Sequence, residues 1–482
     1  MNTHNIPVQV SNPPNDQVRV FKVMTESELA ATNGVRHNGD RRGSQPVVDR
    51  RGSLPVSDRR VSLPVIQFPF AADVQRSKPA RIPGRIVHTR GAGAFGVFEA
   101  TDDISDVCKA TVFNVADGAG PVDTLRESRG FAIKMYTDEG IWDLVGSSLP
   151  VFPIKDPALF PPFSQSLNRN PQTRLKDANI FWNFLTSNPQ TIHHTILVNS
   201  DRDAPESFRF MDCYGAHTFK MINHRNEFVW VKFHLRYDQD IKTFDPEAAN
   251  IPTVEQFNHA AADLFNAIAI KNFPSWTLYI QIMTEEQARR CPFNPFDLTK
   301  IFSQKEYPLH KVGKITLNEN PIDYFSQIEQ VAFTPAHMPP GIEASPDRIF
   351  QMRISFYNEQ QPKRLGPNNL LLPINNPATN PIFFGIPHQP NAFMQTPATS
   401  SSLVRRNISN VASNILLNVD DFTQARDFYK NVLDSHGRSI LTKNIADSLA
   451  RCTDRNLVGR ALFMMSTIDD TFARRIGKKL NF

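Results

Sequence analysis

Two stretches of the chain hold side chains whose types and spacing could do chemistry. The first, RIVHTRGAGAFGVFE at residues 85–99, places His88 after a β-branched pair and before three closely spaced glycines. A histidine titrates near neutral pH, so it can act as a general acid and base. Because glycine has no Cβ, the pattern predicts a strand end followed by a turn that a bulky group could approach. A lone histidine beside such a turn is more often only a hydrogen-bonded loop residue.

The second stretch is SPDRIFQMRISFYNEQQPKRLG at residues 345–366. Arg353 and Tyr357 are four residues apart, so on a helix they lie on one face with the guanidinium next to the phenol. A cation in that place favours phenolate over phenol, and a phenolate oxygen is a metal ligand. As an isolated pair, the two residues would more often form a surface contact between a cation and a ring.

Taken together, the two stretches resemble the haem catalases. The first is similar to the family's distal histidine motif, and the second to its proximal tyrosine motif. Five further landmarks of the family lie between them: RNPQTRLKD at 169–177, YGAHTFK at 214–220, PSWTLYIQIMT at 274–284, PFNPFDLTK at 292–300 and MPPGIEASPD at 338–347. The similarity extends from about residue 67 to the C-terminus.

The resemblance implies a role for each matched residue. His88 would move a proton between the two oxygens of hydrogen peroxide at a bound haem b. Tyr357 would be the proximal iron ligand, as tyrosine is throughout this family. Arg353 would keep that phenol ionised, with His217 and Asp347 forming a hydrogen-bonded relay behind the arginine.

The resemblance also implies further contacts to cofactors. Arg85 and Arg364 match positions that bind the haem propionates, a task suited to planar guanidinium groups. Val87 and Phe152 match positions that line the haem. Some family members bind NADPH on the surface, and the matching residues are His193, Ser200, Arg202 and Arg236, although Asp212 and Gln304 depart from that pattern.

Three departures from the family fall on the distal side. Ile141 stands where we expect an asparagine that binds peroxide, and losing such a donor costs on the order of 100-fold in rate. Between Phe113 and Arg126 the chain is too short for a strand that the family carries, and Pro153 replaces an aromatic residue. The alternative to an active enzyme is therefore a catalytically impaired haem-binding or structural protein.

The expected fold is α+β: an antiparallel β-barrel with helical insertions, which is eight-stranded in the family and here either complete or one strand short. Residues 208–222 and 227–238 alternate like strands, whereas residues 177–187 and 254–269 repeat apolar side chains at helical spacing. We expect a barrel core at 67–363. A Pro- and Asn-rich segment at 364–412 is predicted to be extended, and the resemblance implies that it wraps a neighbouring subunit. A helical domain would follow at 413–482.

Residues 1–66 are predicted to be a disordered arm. Their nine-residue repeat begins at positions 40, 49 and 58, and each unit holds Arg-Arg-x-Ser, at Ser44, Ser53 and Ser62. A proline in every unit prevents a continuous buried face. A basophilic kinase would recognise these serines, and phosphorylation would neutralise a basic tail. An unmodified basic arm is an equally good interpretation.

Composition excludes several classes of protein. The 482 residues include 21% charged side chains, and no run of about 18 apolar residues is present to cross a membrane. The four cysteines are scattered, which predicts a reducing compartment and no zinc site. A net charge of +5 gives no support for nucleic-acid binding. We see no secretory signal, expect a peroxisomal or cytoplasmic location, and expect a homotetramer from the resemblance.

Overall fold

The computed structural model describes residues 82–85, 91–107, 116–119, 128–137, 139–243, 258–376 and 421–482. The predicted arm at 1–66 and most of the predicted wrapping segment at 364–412 lie outside these ranges. His88 and Val87 lie outside them as well.

A closed antiparallel β-barrel forms the centre of the fold. Its strands are β1 Gly91–Ala100, β2 Ala116–Ala119, β3 Gly130–Thr137, β4 Gly140–Ser147, β5 Cys213–Tyr214, β6 Phe219–Ile222, β7 Phe228–Tyr237, β8 Ser275–Met283, β9 Leu309–Glu319 and β10 Ile342–Ala344. The strands pair in the order β10-β6-β7-β5-β4-β3-β2-β1-β9-β8, and β8 pairs with β7 to close the ring. Strands β5 and β6 follow each other along one side of β7, so together they form one of eight members of that ring. The predicted eight-stranded antiparallel barrel is confirmed.

The strand that we expected to be missing is present in short form. Strand β2 has only four residues, yet it pairs antiparallel with both β1 and β3. Strand β3 therefore keeps the direction that an eight-stranded barrel requires. The expectation of a barrel one strand short was wrong, because four residues suffice to fill the place between two longer neighbours.

The glycine-rich stretch after His88 is a strand and not the predicted turn. It forms β1, which pairs with β9 and carries a bulge between Phe95 and Gly96. A Cβ placed on Gly96 would lie 2.2 Å from the carbonyl oxygen of Thr316. The bulky group that approaches this backbone is therefore the neighbouring strand.

The predicted strand pair around residue 224 is confirmed as the hairpin of β6 and β7. Asn226 adopts a left-handed φ of 60° in the turn. The side-chain oxygen of Asn223 accepts hydrogen bonds from the backbone nitrogens of Arg225 and Glu227. Asparagine suits both positions because its short amide bonds to the local backbone and tolerates positive φ.

Helices cover the outside of the barrel and form the C-terminal region. They are α1 Phe160–Leu167, α2 Ala178–Ser187, α3 Ile192–Val198, α4 His259–Ala269, α5 Glu285–Arg290, α6 Arg348–Leu365, α7 Thr423–Asp427, α8 Ser435–Leu449, α9 Arg455–Ser466 and α10 Asp470–Leu480. Short 3₁₀ turns lie at Pro157–Leu159, Pro189–Thr191, Asp201–Asp203, Phe208–Phe210, Asn369–Leu371 and Pro373–Asn375, and π turns at Phe325–Glu329 and Phe428–Val432. The helices predicted near residues 178 and 259 are confirmed, and α2 begins where Asp177 accepts two backbone N–H groups.

The β3–β4 hairpin separates two environments. Phe131, Ile133 and Leu144 point into the barrel core. The opposite face carries Lys134, Asp143 and Val145, which lie against the segment 331–337 and, for Val145, against α6. Alternation along a strand produces this division, because successive side chains point to opposite faces of the sheet.

A second apolar core joins helices α1 to α3 with the C-terminal helices. Trp182, Ile196, Leu441 and Phe472 are among its fully buried side chains. Burying each such side chain contributes roughly 1.5–3 kcal/mol. The helical region predicted for the end of the chain is thus present at 421–482 and is packed against the helical insertions.

Candidate functional site

Helix α6 positions the residues of the predicted tyrosine motif. The Asp347 carboxylate caps its start by accepting the backbone N–H groups of Ile349 and Phe350. Arg353, Tyr357 and Arg364 are spaced by four and seven residues, so all three lie on one face of the helix. The helical spacing predicted from the sequence is confirmed.

A buried relay of hydrogen bonds ends at Tyr357. The guanidinium carbon of Arg353 lies 5.4 Å from the centre of the Tyr357 ring. Its Nη1 lies 2.6 Å from Nε2 of His217 and donates to the carbonyl oxygen of Val145 at 3.2 Å. His217 Nδ1 is 2.6 Å from Oδ2 of Asp347. Arginine can only donate, so His217 accepts at Nε2 and donates its Nδ1 proton to Asp347.

The surroundings of His217 keep its imidazole neutral. Burial lowers the pKa of His217 to about 4, and the cations Arg353 and Lys232 act in the same direction against the opposing charge of Asp347. The ring stacks on Phe350, with 4.3 Å between the centroids. A neutral ring is what the relay needs, because imidazolium has no lone pair to accept the Arg353 bond.

The phenol of Tyr357 is the open end of the relay. Its ring packs against Val145, Val331 and Phe333, and the residue is half-buried. Among the described residues, none forms a hydrogen bond with the Tyr357 hydroxyl. The oxygen is therefore available to a ligand from outside the protein chain.

Two guanidinium groups converge close to this helix face. Arg364 Nη2 lies 2.5 Å from Oε1 of Glu329, and Arg85 Nη1 lies 3.9 Å from Oε2 of the same carboxylate. Arg85 Nη2 also donates to the carbonyl oxygen of Ile328 at 2.6 Å. Both guanidinium groups are thus paired with the same carboxylate of the protein, Glu329.

These residues fit a tyrosine-ligated haem. Such a group requires one anionic oxygen for the iron, apolar surroundings for the ring and cations for its two propionates. Tyr357 and its apolar neighbours supply the first two, and Arg85 with Arg364 supplies the third.

The described residues on both sides of His88 are hydrogen-bonded to one turn, at residues 324–329. Arg85 bonds to Ile328, as given above, and the hydroxyl of Tyr324 donates to the carbonyl oxygen of Gly91 at 2.9 Å. His88 itself lies outside the described residues, three positions along the chain from each of Arg85 and Gly91.

Ile141, which we expect at the place of the family's asparagine, lies on strand β4. It lies on the same face of β4 as Val145, but the four residues between them correspond to about 13 Å of strand. The buried Lys134–Asp143 pair, with Nζ 2.7 Å from Oδ1, lies between the two positions.

The polar side chain on that face beyond Val145 is Ser147. Its Oγ lies 2.6 Å from Oγ of Ser128 and accepts the backbone N–H of Leu149 at 3.3 Å. Ser147 is two residues from Val145, about 7 Å along the strand, and so lies closer to the Tyr357 end than Ile141 does.

Phe152 and Pro153 follow this strand. The Phe152 ring meets Phe163 of α1 edge-on at 6.3 Å, and its backbone N–H donates to Leu298. Phe160 of the same helix meets Phe356, the residue before Tyr357, at 6.1 Å. Phe152 and Phe356 therefore pack against two different rings of α1, and Pro153 is buried next to Phe152.

The residues that matched a nucleotide site have local partners. His193 Nδ1 is 3.0 Å from the carbonyl oxygen of Thr299, and Ser200 Oγ donates to Leu197. Arg202 lies 5.6 Å from the centre of the Phe428 ring. Arg236 pairs with Asp212 and reaches the hydroxyl of Tyr214 at 3.1 Å.

Sequence reasoning missed His234 in this neighbourhood. It precedes Arg236 by two residues on β7, so both side chains lie on one face, and it pairs across the sheet with Tyr214. Its Nε2 is 2.7 Å from Oε1 of Gln281, while Nδ1 is buried without a partner. Burial lowers the pKa of His234 to about 3, so the ring stays neutral. The alternation along β7 was the available signal.

Comparison with known proteins agrees with this geometry. The family model described as Catalase matches residues 41–406, and the model Catalase-related immune-responsive matches residues 417–480. This chain therefore belongs to the catalase family.

Individual relatives cover most of the chain. The catalase of Cavia porcellus is 45% identical over 400 residues, which is 77% of this chain and 76% of that protein. The catalase of Drosophila melanogaster is 40% identical over 435 residues, 83% of this chain and 86% of that one.

Solved catalase structures have the same fold as this chain. A fungal catalase structure superposes with a TM-score of 0.75 at 35% identity and covers 89% of this chain and 94% of its own. Catalase A of Saccharomyces cerevisiae gives a TM-score of 0.74 at 34% identity, with 89% and 96% covered.

Other kinds of site find little support in the described ranges. Within them, no helix is long and apolar enough to cross a membrane, and no three His, Cys, Asp or Glu side chains are grouped to hold a metal ion. Cys213, Cys291 and Cys452 are free thiols, and Cys108 lies outside the described residues.

Proposed function

We propose that this chain, a catalase-type hydrogen peroxide oxidoreductase by family, decomposes peroxide with Tyr357 as proximal ligand of haem b and His88 as acid and base. The observation that supports this most is the buried relay from Asp347 through His217 and Arg353 to the open phenol of Tyr357. Haem, when bound there, would supply the iron at which the peroxide O–O bond is cleaved.

The relay's task is to keep the Tyr357 oxygen anionic. Arg353 carries a permanent positive charge and is held by both His217 and Val145, so it cannot swing away from the ring. A fixed cation favours phenolate over phenol without any movement during the reaction.

His88 would perform the proton transfer on the opposite side. A neutral imidazole takes the proton from one peroxide oxygen and returns it to the other, which lets that oxygen leave as water. The anchored positions at Arg85 and Gly91 support this role, since they hold the chain on both sides of His88 to the turn at 324–329.

Arg85 and Arg364 would bind the two propionates. Their guanidinium groups already meet at Glu329, so the protein's own carboxylate pre-organises the pair for an anion. Val87 and Phe152 remain proposed lining residues.

An impaired, catalase-like haem protein is the second candidate. The four-residue β2 favours it, because a short strand supplies fewer side chains to the distal side. Purified full-length protein distinguishes the two by its ferric absorbance and by oxygen release from peroxide. A Soret band with oxygen release supports the enzyme, a Soret band without oxygen supports the second candidate, and absence of haem contradicts both.

Several further expectations remain proposals. Burial raises the pKa of Tyr214 to about 12, and Arg236 and Arg202 oppose this as nearby cations. We propose these two cations for a nucleotide phosphate. Quenching of NADPH fluorescence by the protein would test it, with Arg202→Ala as the comparison. A homotetramer, a location in peroxisome or cytoplasm, and phosphorylation of Ser44, Ser53 and Ser62 are proposed from family and sequence alone, and phosphopeptide mapping would test the last.

A further inference from the structure

Lys232 is a buried cation that the relay described above does not include. It lies on β7 with 6% of its surface exposed, and its Nζ is 5.1 Å from the centre of the Phe302 ring. Among the described residues, no carboxylate oxygen lies within 4.0 Å of that nitrogen. The nitrogen donates a hydrogen bond to the backbone carbonyl oxygen of Ala216 at 3.3 Å.

That carbonyl belongs to a turn of unusual conformation. Ala216 has a φ of 62°, in the left-handed region that alanine rarely adopts. The next residue is His217, whose backbone N–H donates to the carbonyl oxygen of Gly215 at 2.7 Å. A disfavoured conformation persists only where surrounding contacts hold it, and the Lys232 ammonium is such a contact.

The charge of Lys232 acts on the same histidine. Three charged groups face His217: Asp347 from the start of α6, Arg353 from its second turn, and Lys232 from β7, while Phe350 and Phe219 cover the ring with apolar surface. Burial lowers the pKa of Lys232 to about 8, but the carboxylates of Asp347 and Asp297 oppose this. At neutral pH the ammonium is mostly charged and disfavours a second positive charge on His217.

We propose that Lys232 is a positioning residue of the relay: it fixes the Ala216 carbonyl, so that His217 is oriented as a neutral acceptor for Arg353. This inference rests on the proposed role of Tyr357, because the relay matters only if that phenol binds the iron. Lys232 touches neither the phenol nor the substrate in this account.

Two substitutions separate the hydrogen bond of Lys232 to Ala216 from the effect of its charge. Lys232→Met keeps the aliphatic volume over Phe302 but removes both the donor and the charge. Lys232→Gln keeps a donor for Ala216 and removes only the charge. The matched control is Lys220→Met, because Lys220 also lies over a phenylalanine ring, Phe228 at 4.9 Å, but pairs with Glu343 away from the relay.

The measurement is the ferric absorption spectrum of the haem-loaded protein as a function of pH. We expect the acid-side spectral transition of Lys232→Met to move upward by about one pH unit or more, because removing a cation makes His217 easier to protonate. Lys232→Gln should show the same shift but keep the wild-type spectrum at neutral pH. Lys220→Met should match the wild type in both respects.

A purely structural lysine would behave differently. It would lower the melting temperature of both Lys232 variants and leave the spectrum and its pH midpoint unchanged, and that result would overturn the inference. If Lys232→Met fails to fold, an unshifted midpoint in Lys232→Gln overturns it equally. Tyr357→Phe, measured in parallel, separates failure of the proposed iron ligand from failure of the positioning role. An unchanged spectrum in Tyr357→Phe refutes Tyr357 as the ligand. A changed spectrum in Tyr357→Phe without any effect of the Lys232 variants refutes only the positioning role of Lys232.

Discussion

Nη1 of Arg353 lies 2.6 Å from Nε2 of His217, and this bond joins helix α6 to the loop that enters strand β6. The two residues are 136 positions apart in the sequence. His217 acts on Tyr357 only through Arg353, and Arg353 depends on His217 for its orientation. Arg353 is oriented on the ring by the hydrogen bond that it donates to a neutral His217.

Replacing Arg353 by lysine should weaken the site although the charge is kept. A single ammonium cannot donate to both His217 and Val145 while lying over the Tyr357 ring. We expect a drop in peroxide decomposition of about tenfold or more, with an altered ferric spectrum. Arg348→Lys on the same helix is the control, since Arg348 is exposed and should leave both unchanged. Equal behaviour of the two variants would contradict the relay.

Introducing at position 141 the amide that we expect from the family should not raise activity. Ile141→Asn places a polar group at a position that is only 6% exposed and about 13 Å along the strand from Val145. We expect no gain in oxygen release and a loss of about 1–3 kcal/mol in the free energy of unfolding. A clear rise in rate would show that Ile141 does face the substrate. Ser147→Ala is the companion variant, and we expect it to lower the rate instead.

Asp143 should be essential for stability. Burial disfavours its charge, yet the Lys134 ammonium and the hydrogen bond with His337 hold the pKa of Asp143 below its ordinary value. Asp143→Asn would leave Lys134 charged and buried, at a cost of about 3–5 kcal/mol. Denaturant unfolding measures this, with the exposed Glu359→Gln as a control that should change stability by less than about 1 kcal/mol.

The same carboxylate gives a pH dependence of stability. A folded-state pKa below the unfolded value means that Asp143 stabilises the fold above about pH 4 and that this stabilisation is lost as the pH falls further. The drop in unfolding free energy below pH 4 should therefore be smaller in Asp143→Asn than in the wild type. Identical acid profiles would contradict the assignment.

Gly96 should tolerate no side chain. The Cβ of Gly96→Ala would lie 2.2 Å from the Thr316 carbonyl oxygen, which forces β1 away from β9. We expect a lower melting temperature and partial loss of haem. Gly459→Ala is the matched control, because its Cβ would meet only the Phe482 ring at 3.5 Å and alanine favours a helix. Equal melting temperatures would show that the strands can separate without cost.

The local patterns were readable from the sequence. The spacing of Arg353 and Tyr357 required only helical periodicity, and the β6–β7 hairpin required only alternation with an asparagine turn. Both depend on neighbours in the chain, and both are confirmed.

The pairing of strands that are distant in the chain could not be predicted from the sequence. The glycines of β1 have no strand propensity of their own, and only the close approach of β9 explains Gly96. Strand β2 is too short to show a period, so its place between β1 and β3 was missed. Which end of β4 meets the site also depends on tertiary packing and not on spacing, so the place of Ile141 relative to the site could not be fixed from the motif.

The central claim is that the Tyr357 oxygen ligates the haem iron, and the ferric absorption spectrum of Tyr357→Phe tests it most directly. Tyr307→Phe is the control, since that phenol lies against Phe302 away from the relay. The account predicts that Tyr357→Phe loses the ligand-dependent ferric spectrum and oxygen release, whereas Tyr307→Phe retains both. A wild-type spectrum in Tyr357→Phe would contradict it.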